Sequence, residues 1–128
     1  MDYTICQNIE ASCNVTLFVN TITEKKVPNF YSGTAILVKK QIIDQYEIYH
    51  EIIIPNRIQK IKIKEKHGYL NIYNIYLQSG SYNESTRIRQ LEILEQKIEN
   101  NPLTKNLLLG DFNFVTQYLD TSGYQIYV

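Results

Sequence analysis

The sequence predicts an α/β domain. A strand, an amphipathic helix and a second strand follow one another over residues 69–77, 81–100 and 106–112. The segments before them are strand-length runs that are either apolar throughout, as at Gly33–Val38, or alternating, as at Arg57–Glu65. The chain also carries 11 tyrosines among 128 residues, together with many isoleucines, and both residue types favour β structure. Strands joined through a helix of this length are the signature of a parallel crossover.

A chain of 128 residues fits one domain, at the small end of what supports a full core. Hydrophobic residues make up 44% and charged residues 20%, which excludes a disordered chain. Formal net charge is zero, so no global basic field draws in nucleic acid and any such binding must rest on a local patch. The first residues carry no basic, apolar leader pattern, and no stretch reaches the ~20 apolar residues of a membrane span. The expectation is an intracellular protein without membrane association. Cys6 and Cys13 are the two cysteines; they read as partly buried thiols in a reducing compartment, with one bridge between them as the alternative, rather than as a metal site.

In chain order, Tyr3–Cys6 and Val15–Val19 read as strands, with a polar loop over residues 7–12 between them. Residues 21–32 read as a surface connection containing Lys25-Lys26 and Pro28-Asn29. Gly33–Val38 reads as a central strand. Tyr46–Ile54 and Arg57–Glu65 flank a Pro55-Asn56 turn. In the second arm Ile61 and Ile63 alternate with Lys60, Lys62 and Lys64, the pattern of an edge strand with a solvated lysine face. The alternative is a row that touches a phosphate backbone. After the His67-Gly68 turn comes the strand Tyr69–Leu77, with Leu70, Ile72, Asn74 and Tyr76 on one side. Ser81 and Glu84 fit a capping box for the helix, which carries Ile88, Leu91, Leu94 and Ile98 on its apolar face and stops at Asn100-Asn101-Pro102. The tail contains a Thr121-Ser122-Gly123 turn and ends as an apolar segment begins.

The chemistry concentrates at the end of the last strand, Leu107-Leu108-Leu109-Gly110-Asp111-Phe112-Asn113. Side chains two apart in an extended chain point to the same side. Asp111 and Asn113 would therefore share one site while Phe112 returns to the core. A parallel crossover brings the ends of both strands to one edge, which sets Tyr76 near that pair as a third catalytic candidate, with Asn74 and Ser79 as substrate-binding candidates. A carboxylate there suits water activation, and a phenol suits donation to a phosphate oxygen. The plainer alternatives are an Asx turn for Asp111 and Asn113, and packing for Tyr76. His50 and His67 have no nucleophile at recognisable spacing. Arg87 and Arg89 read as solvated or as phosphate ligands.

Gly33-Thr34-Ala35-Ile36-Leu37-Val38, then Asn74-Ile75-Tyr76, then Leu107–Asn113 resemble, in order and rough spacing, the motifs of the endonuclease/exonuclease/phosphatase superfamily. They look closest to the endonuclease domains of LINE-type retrotransposons. The resemblance implies part of a four-layer α/β sandwich, two packed mixed β-sheets with outer helices, truncated at both ends. It implies Mg²⁺ as cofactor and DNA as partner. It gives Asp111 the activation of water, Asn113 the holding of phosphate and nucleophile, and Tyr76 the contact to the scissile phosphate. A retrotransposon protein of this kind would be nuclear.

The sequence departs from the family at several points. Asp2–Asn8 matches the strand that carries the family's metal-binding glutamate, but Asn8 stands in its place and Glu10 is the remaining metal candidate. Leu77, Gln78 and Ser79 follow Tyr76 where the family has a small residue, Pro and Asn, and the family's C-terminal Ser-Asp-His motif is absent. The implied function is a Mg²⁺-dependent, endonuclease-like phosphodiesterase domain that is weak or inactive alone. The alternatives are a non-catalytic remnant that binds or self-associates through exposed sheet surface, and a phosphatase or lipid-hydrolase relative.

Overall fold

A computed structural model describes residues 3–21 and 33–113. Helix α1 (Tyr3–Cys13) leads into β1 (Val15–Asn20), and β2 (Thr34–Lys39) runs directly into the short helix α2 (Lys40–Gln45). Strands β3 (Glu47–Ile54), β4 (Ile58–Glu65) and β5 (Gly68–Tyr76) follow, then a 3₁₀ turn at Ser81–Asn83, helix α3 (Glu84–Lys97) and β6 (Thr104–Asp111). The surface connection expected before β2 and the turn expected at residues 121–123 lie outside the described residues.

The strands make two sheets. β1 and β2 pair antiparallel; the larger sheet has the order β3-β4-β5-β6 and is mixed, with antiparallel pairs up to β5 and a parallel β5–β6 pair. The crossover through α3 is the one expected. One face of the large sheet carries Ile58, Tyr73, Ile75 and Leu77, which are fully buried with Leu94 of α3; Leu91, Ile98, Leu108 and Phe112 pack around them.

The other face meets the small sheet through polar bridges. Gln59 Nε2 donates to Thr34 Oγ1 at 2.9 Å, and Asn74 Nδ2 donates to the Ala35 carbonyl at 3.0 Å. Asn20 donates to the Ile54 carbonyl and accepts from Asn56 N, both at 3.0 Å. Helix α1 packs on β1, and α2 on both strands of the small sheet. The result is a partial four-layer α/β sandwich. Among the described residues no helix is long and apolar enough to cross a membrane.

Several sequence expectations change. Tyr3–Cys6 is not a strand followed by a loop but the first part of α1. A four-residue apolar run fits either period, and the buried Cys6 is held by helix packing on β1. Both cysteines are free and about two turns apart on that helix, on the order of 10 Å and beyond disulfide reach. The strand at Thr34–Lys39 is not central: among the described residues its neighbour is β1 alone. The small sheet is antiparallel rather than mixed over its two described strands.

The Ser81–Glu84 capping box does not form. Residues 81–83 close a 3₁₀ turn, and α3 starts at Glu84 and ends at Lys97 rather than Asn100. Asn83 spends its amide on the Ser79 carbonyl at 2.7 Å, and its N–H on the Gly80 carbonyl at 3.1 Å. The turn is thereby tied to the preceding loop instead of to the helix. Nor is β4 an edge strand, since it lies between β3 and β5. Lys60 is only 7% exposed and bridges Glu51 at 3.0 Å and Glu99 at 3.6 Å; Lys62 reaches Glu99 at 2.9 Å. Lys64 meets Glu47 at 3.7 Å, so all three lysines pair with carboxylates.

Candidate functional site

The parallel register sets Tyr76 directly against Asp111. Both strands thus end at one edge of the sheet, the position where open α/β sheets bind ligands. Leu77 N donates to the Asp111 carbonyl at 2.9 Å, which extends the ladder one bond past the rung. Gly110 makes this approach possible: its φ is +138°, and a Cβ there would fall 1.8 Å from the Ile75 carbonyl oxygen.

Beyond Asp111 the chain turns. Asn113 has φ +50°, a conformation in which Asn is over-represented. Its N–H donates to Asp111 Oδ1 at 2.9 Å and its Nδ2 to the Leu77 carbonyl at 2.6 Å. The expected strand-like pairing of Asp111 and Asn113 on one face gives way to an Asx turn. Asn113 fixes one carboxylate oxygen of Asp111 and ties the ends of β5 and β6 together, with its amide donors directed into the scaffold. Phe112 packs against the core cluster as expected.

Tyr76 is half-buried and carries the guanidinium of Arg57 4.9 Å above its ring; Tyr76 N donates to the Arg57 carbonyl at 2.7 Å. Arg57 went unnoticed in the sequence. The signal was topological: β4 runs antiparallel to β5 with Ile58 opposite Ile75, so the residue just before β4 must lie beside the C-terminal end of β5.

The remaining candidates divide. Ser79 is exposed in the loop after Tyr76, at the same edge, with its carbonyl held by Asn83. Arg87 anchors that loop, donating to the carbonyls of Gln78 at 3.1 Å and Gly80 at 2.6 Å, and Arg89 pairs with Glu92. Asn74 spends its Nδ2 on the Ala35 carbonyl, so it joins the two sheets. His50 bonds Gln59 Oε1 at 2.8 Å, and its ring lies tilted at 5.3 Å from that of Phe18. His67 precedes β5, at the opposite end of the strand from Tyr76, about 30 Å along an extended chain.

Glu10 lies on α1, where its Oε2 accepts Leu17 N at 3.5 Å, and Asn8 is exposed on the same helix rather than at a strand end. Among the described residues no group of three or more His, Cys, Asp or Glu side chains comes together. Asp111 is the carboxylate of the strand-end cluster as described, and one of its oxygens is engaged. Mg²⁺ is held by carboxylates, substrate phosphates and water in near-octahedral geometry. The described side chains do not make up a protein-held Mg²⁺ site.

No protein-family model and no curated protein matches the chain. Solved structures match in fold. D. rerio TDP2 humanized by 14 mutations superposes with a TM-score of 0.65 and 17% identity, covering 96% of this chain and 50% of that one. D. rerio TDP2 complexed with a single-strand DNA product gives 0.64 and 17%, over 90% of this chain and 46% of that one. C. elegans TDP2 gives 0.62 and 17%, over 90% and 36%. The chain thus spans half or less of the length of these structures. TDP2 belongs to the superfamily that the three motifs resemble; these structures lend no support to the narrower likeness to LINE-type endonucleases. At this identity the likeness is one of fold, and the chain is similar in fold to a part of TDP2.

Proposed function

We propose that this domain binds nucleic-acid phosphodiesters, single-stranded DNA foremost, at the strand-end cluster of Asp111, Tyr76 and Arg57, and that its own hydrolytic activity is weak. The observation that carries the reading is the Tyr76–Asp111 rung with the Arg57 guanidinium over the Tyr76 ring. A cation, a phenolic donor and a carboxylate converge at the C-terminal edge of parallel strands. Guanidinium suits phosphate as a planar donor, and a phenol adds a hydrogen bond to a non-bridging oxygen. The carboxylate oxygen not engaged by Asn113 is an acceptor for the proton of an attacking water. The fold shared with TDP2, one structure of which holds a single-strand DNA product, supports this substrate class.

Weak hydrolysis follows from the donor set. Among the described residues Asp111 is not part of any group of three or more His, Cys, Asp or Glu side chains. Each missing stabiliser of developing charge costs about 3–4 kcal/mol, two to three orders of magnitude in rate.

Fluorescence anisotropy with a labelled single-stranded oligonucleotide at low salt tests the binding. The expected result is saturable binding, weakened about tenfold by Arg57→Ala and less by Tyr76→Phe. Binding that ignores Arg57 removes the proposed site. Robust cleavage in Mg²⁺, abolished by Asp111→Ala, overturns the weak-activity reading while keeping the site.

A further inference from the structure

We infer that the open edge of β6 docks a second copy of this chain, the two β6 strands pairing antiparallel about Leu108. Among the described residues β6 has a neighbour, β5, on one side only. The carbonyls of Leu103 and Asp111 turn inward and accept Tyr69 N and Leu77 N, each at 2.9 Å. Peptide groups alternate in direction along a strand, so the N–H and C=O groups of Asn106 and Leu108 face outward. An added strand would pair with these groups. The edge holds no proline, and the exposed residues flanking Leu108 are leucines, Leu107 at 44% and Leu109 at 49%. Such an edge is a template for further pairing.

The occupant is chosen by self-complementarity. Lys105, Leu107, Leu109 and Asp111 project from one face of the sheet. When Leu108 meets its own copy, Leu107 of one chain opposes Leu109 of the other, and Lys105 opposes Asp111. Two-fold symmetry gives each pair twice. These are the non-hydrogen-bonded positions, where facing side chains come closest, and apolar and opposite-charge pairs stabilise there. A shift of two residues either way sets Lys105 against Leu109 or Leu107 against Asp111, so this register alone satisfies both. The Lys105 side chain is 76% exposed and meets Glu65 at 3.5 Å, a screened contact that leaves it free to move.

This inference does not rest on the phosphodiester reading, since Asp111 enters here only as a charge at the edge. Sedimentation velocity of the chain over a range of concentrations tests it. The expected species is two 15.0 kDa chains in exchange with one. Lys105→Glu places like charges opposite each other and weakens the dimer about tenfold; adding Asp111→Lys restores it. A second set avoids the Asp111 turn: Leu107→Glu weakens association, and Leu107→Glu with Leu109→Lys recovers it. Circular dichroism checks the fold of each variant. A chain that stays monomeric throughout overturns the inference, whether the edge is bare or covered by another part of the chain. A dimer or larger assembly indifferent to Lys105→Glu and Leu107→Glu, or recovered by neither double change, overturns it too.

Discussion

Tyr76 and Asp111 are partners on the last rung of the β5–β6 ladder, and Asn113 closes that rung by taking one Asp111 oxygen and the Leu77 carbonyl. Asp111 is therefore both the candidate reactive carboxylate and a structural acceptor. The two roles separate by substitution. Asp111→Asn keeps a side-chain oxygen for Asn113 N and removes the charge, so stability stays within about 0.5 kcal/mol of the original. Asp111→Ala removes the acceptor and costs about 1 kcal/mol. Urea denaturation of both reads the difference; equal losses would show that the turn does not depend on this bond.

Gly110→Ala is the most damaging single methyl at the site. Its Cβ would meet the Ile75 carbonyl oxygen at 1.8 Å and the carbonyl carbon at 2.7 Å, at a φ of +138°. The opposing atoms are backbone in the middle of the sheet and have no side-chain freedom with which to yield. The expected loss is about 3 kcal/mol or more, above the cost of φ strain alone. A thermal midpoint within a few degrees of the original would refute the close approach.

Asn20→Ala tests the junction of the two sheets. Asn20 is fully buried and serves both the Ile54 carbonyl and Asn56 N. Removing its amide takes partners from two backbone groups at the β3–β4 turn, and the expected cost is about 2–3 kcal/mol. Gln59→Leu, which deletes the bridge to Thr34 and His50, should cost less, because an apolar group of similar size fills the place. Chemical denaturation ranks the two, and the reverse order would count against Asn20 as the main tie.

Acid should weaken the fold through the lysine–glutamate network. The Lys60 hydrogen bond holds Glu51 below its ordinary 4.5 against the opposing effect of burial, and Lys62 does the same for Glu99. Groups with lowered folded values contribute stability that is complete above about pH 4.5 and is lost as pH falls through those values. At Lys60 burial favours the neutral amine, but the hydrogen bond and charge of Glu51, together with Tyr73 and Glu99, outweigh it and raise the group above 10.5. That contribution is complete below 10.5 and is lost as pH rises through the folded value. Lys60→Met should therefore flatten the acid limb in part, leaving the Lys62–Glu99 share. Urea midpoints on either side of pH 4.5 for both proteins check this, and an unchanged acid limb would remove Lys60 from the account.

The local patterns in the sequence were enough for the strand–helix–strand crossover, for the β3–β4 hairpin around Pro55-Asn56, and for an apolar strand ending in a carboxylate and an amide. Period and punctuation carry that information within a few residues. Once the parallel crossover is assumed, the meeting of Tyr76 with Asp111 follows.

What tertiary structure decided were the matters that depend on a neighbour. Tyr3–Cys6 is helix because α1 lies on β1; a four-residue apolar run has no period of its own. The lysines of β4 are paired because a strand lies on either side and Glu99 reaches over from the end of α3, and alternation cannot tell an inner strand from an edge. Asn74 and Asn113 look like site residues by position, yet the scaffold consumes their amide donors. Arg57 looks like a turn residue, yet antiparallel pairing carries it over Tyr76. By itself the sequence determined which segments are extended or helical and where polar chemistry gathers along the chain. Which polar groups remain available for a ligand was decided by hydrogen bonds and ion pairs between residues distant in sequence, because a buried polar group is satisfied by whatever the fold brings to it.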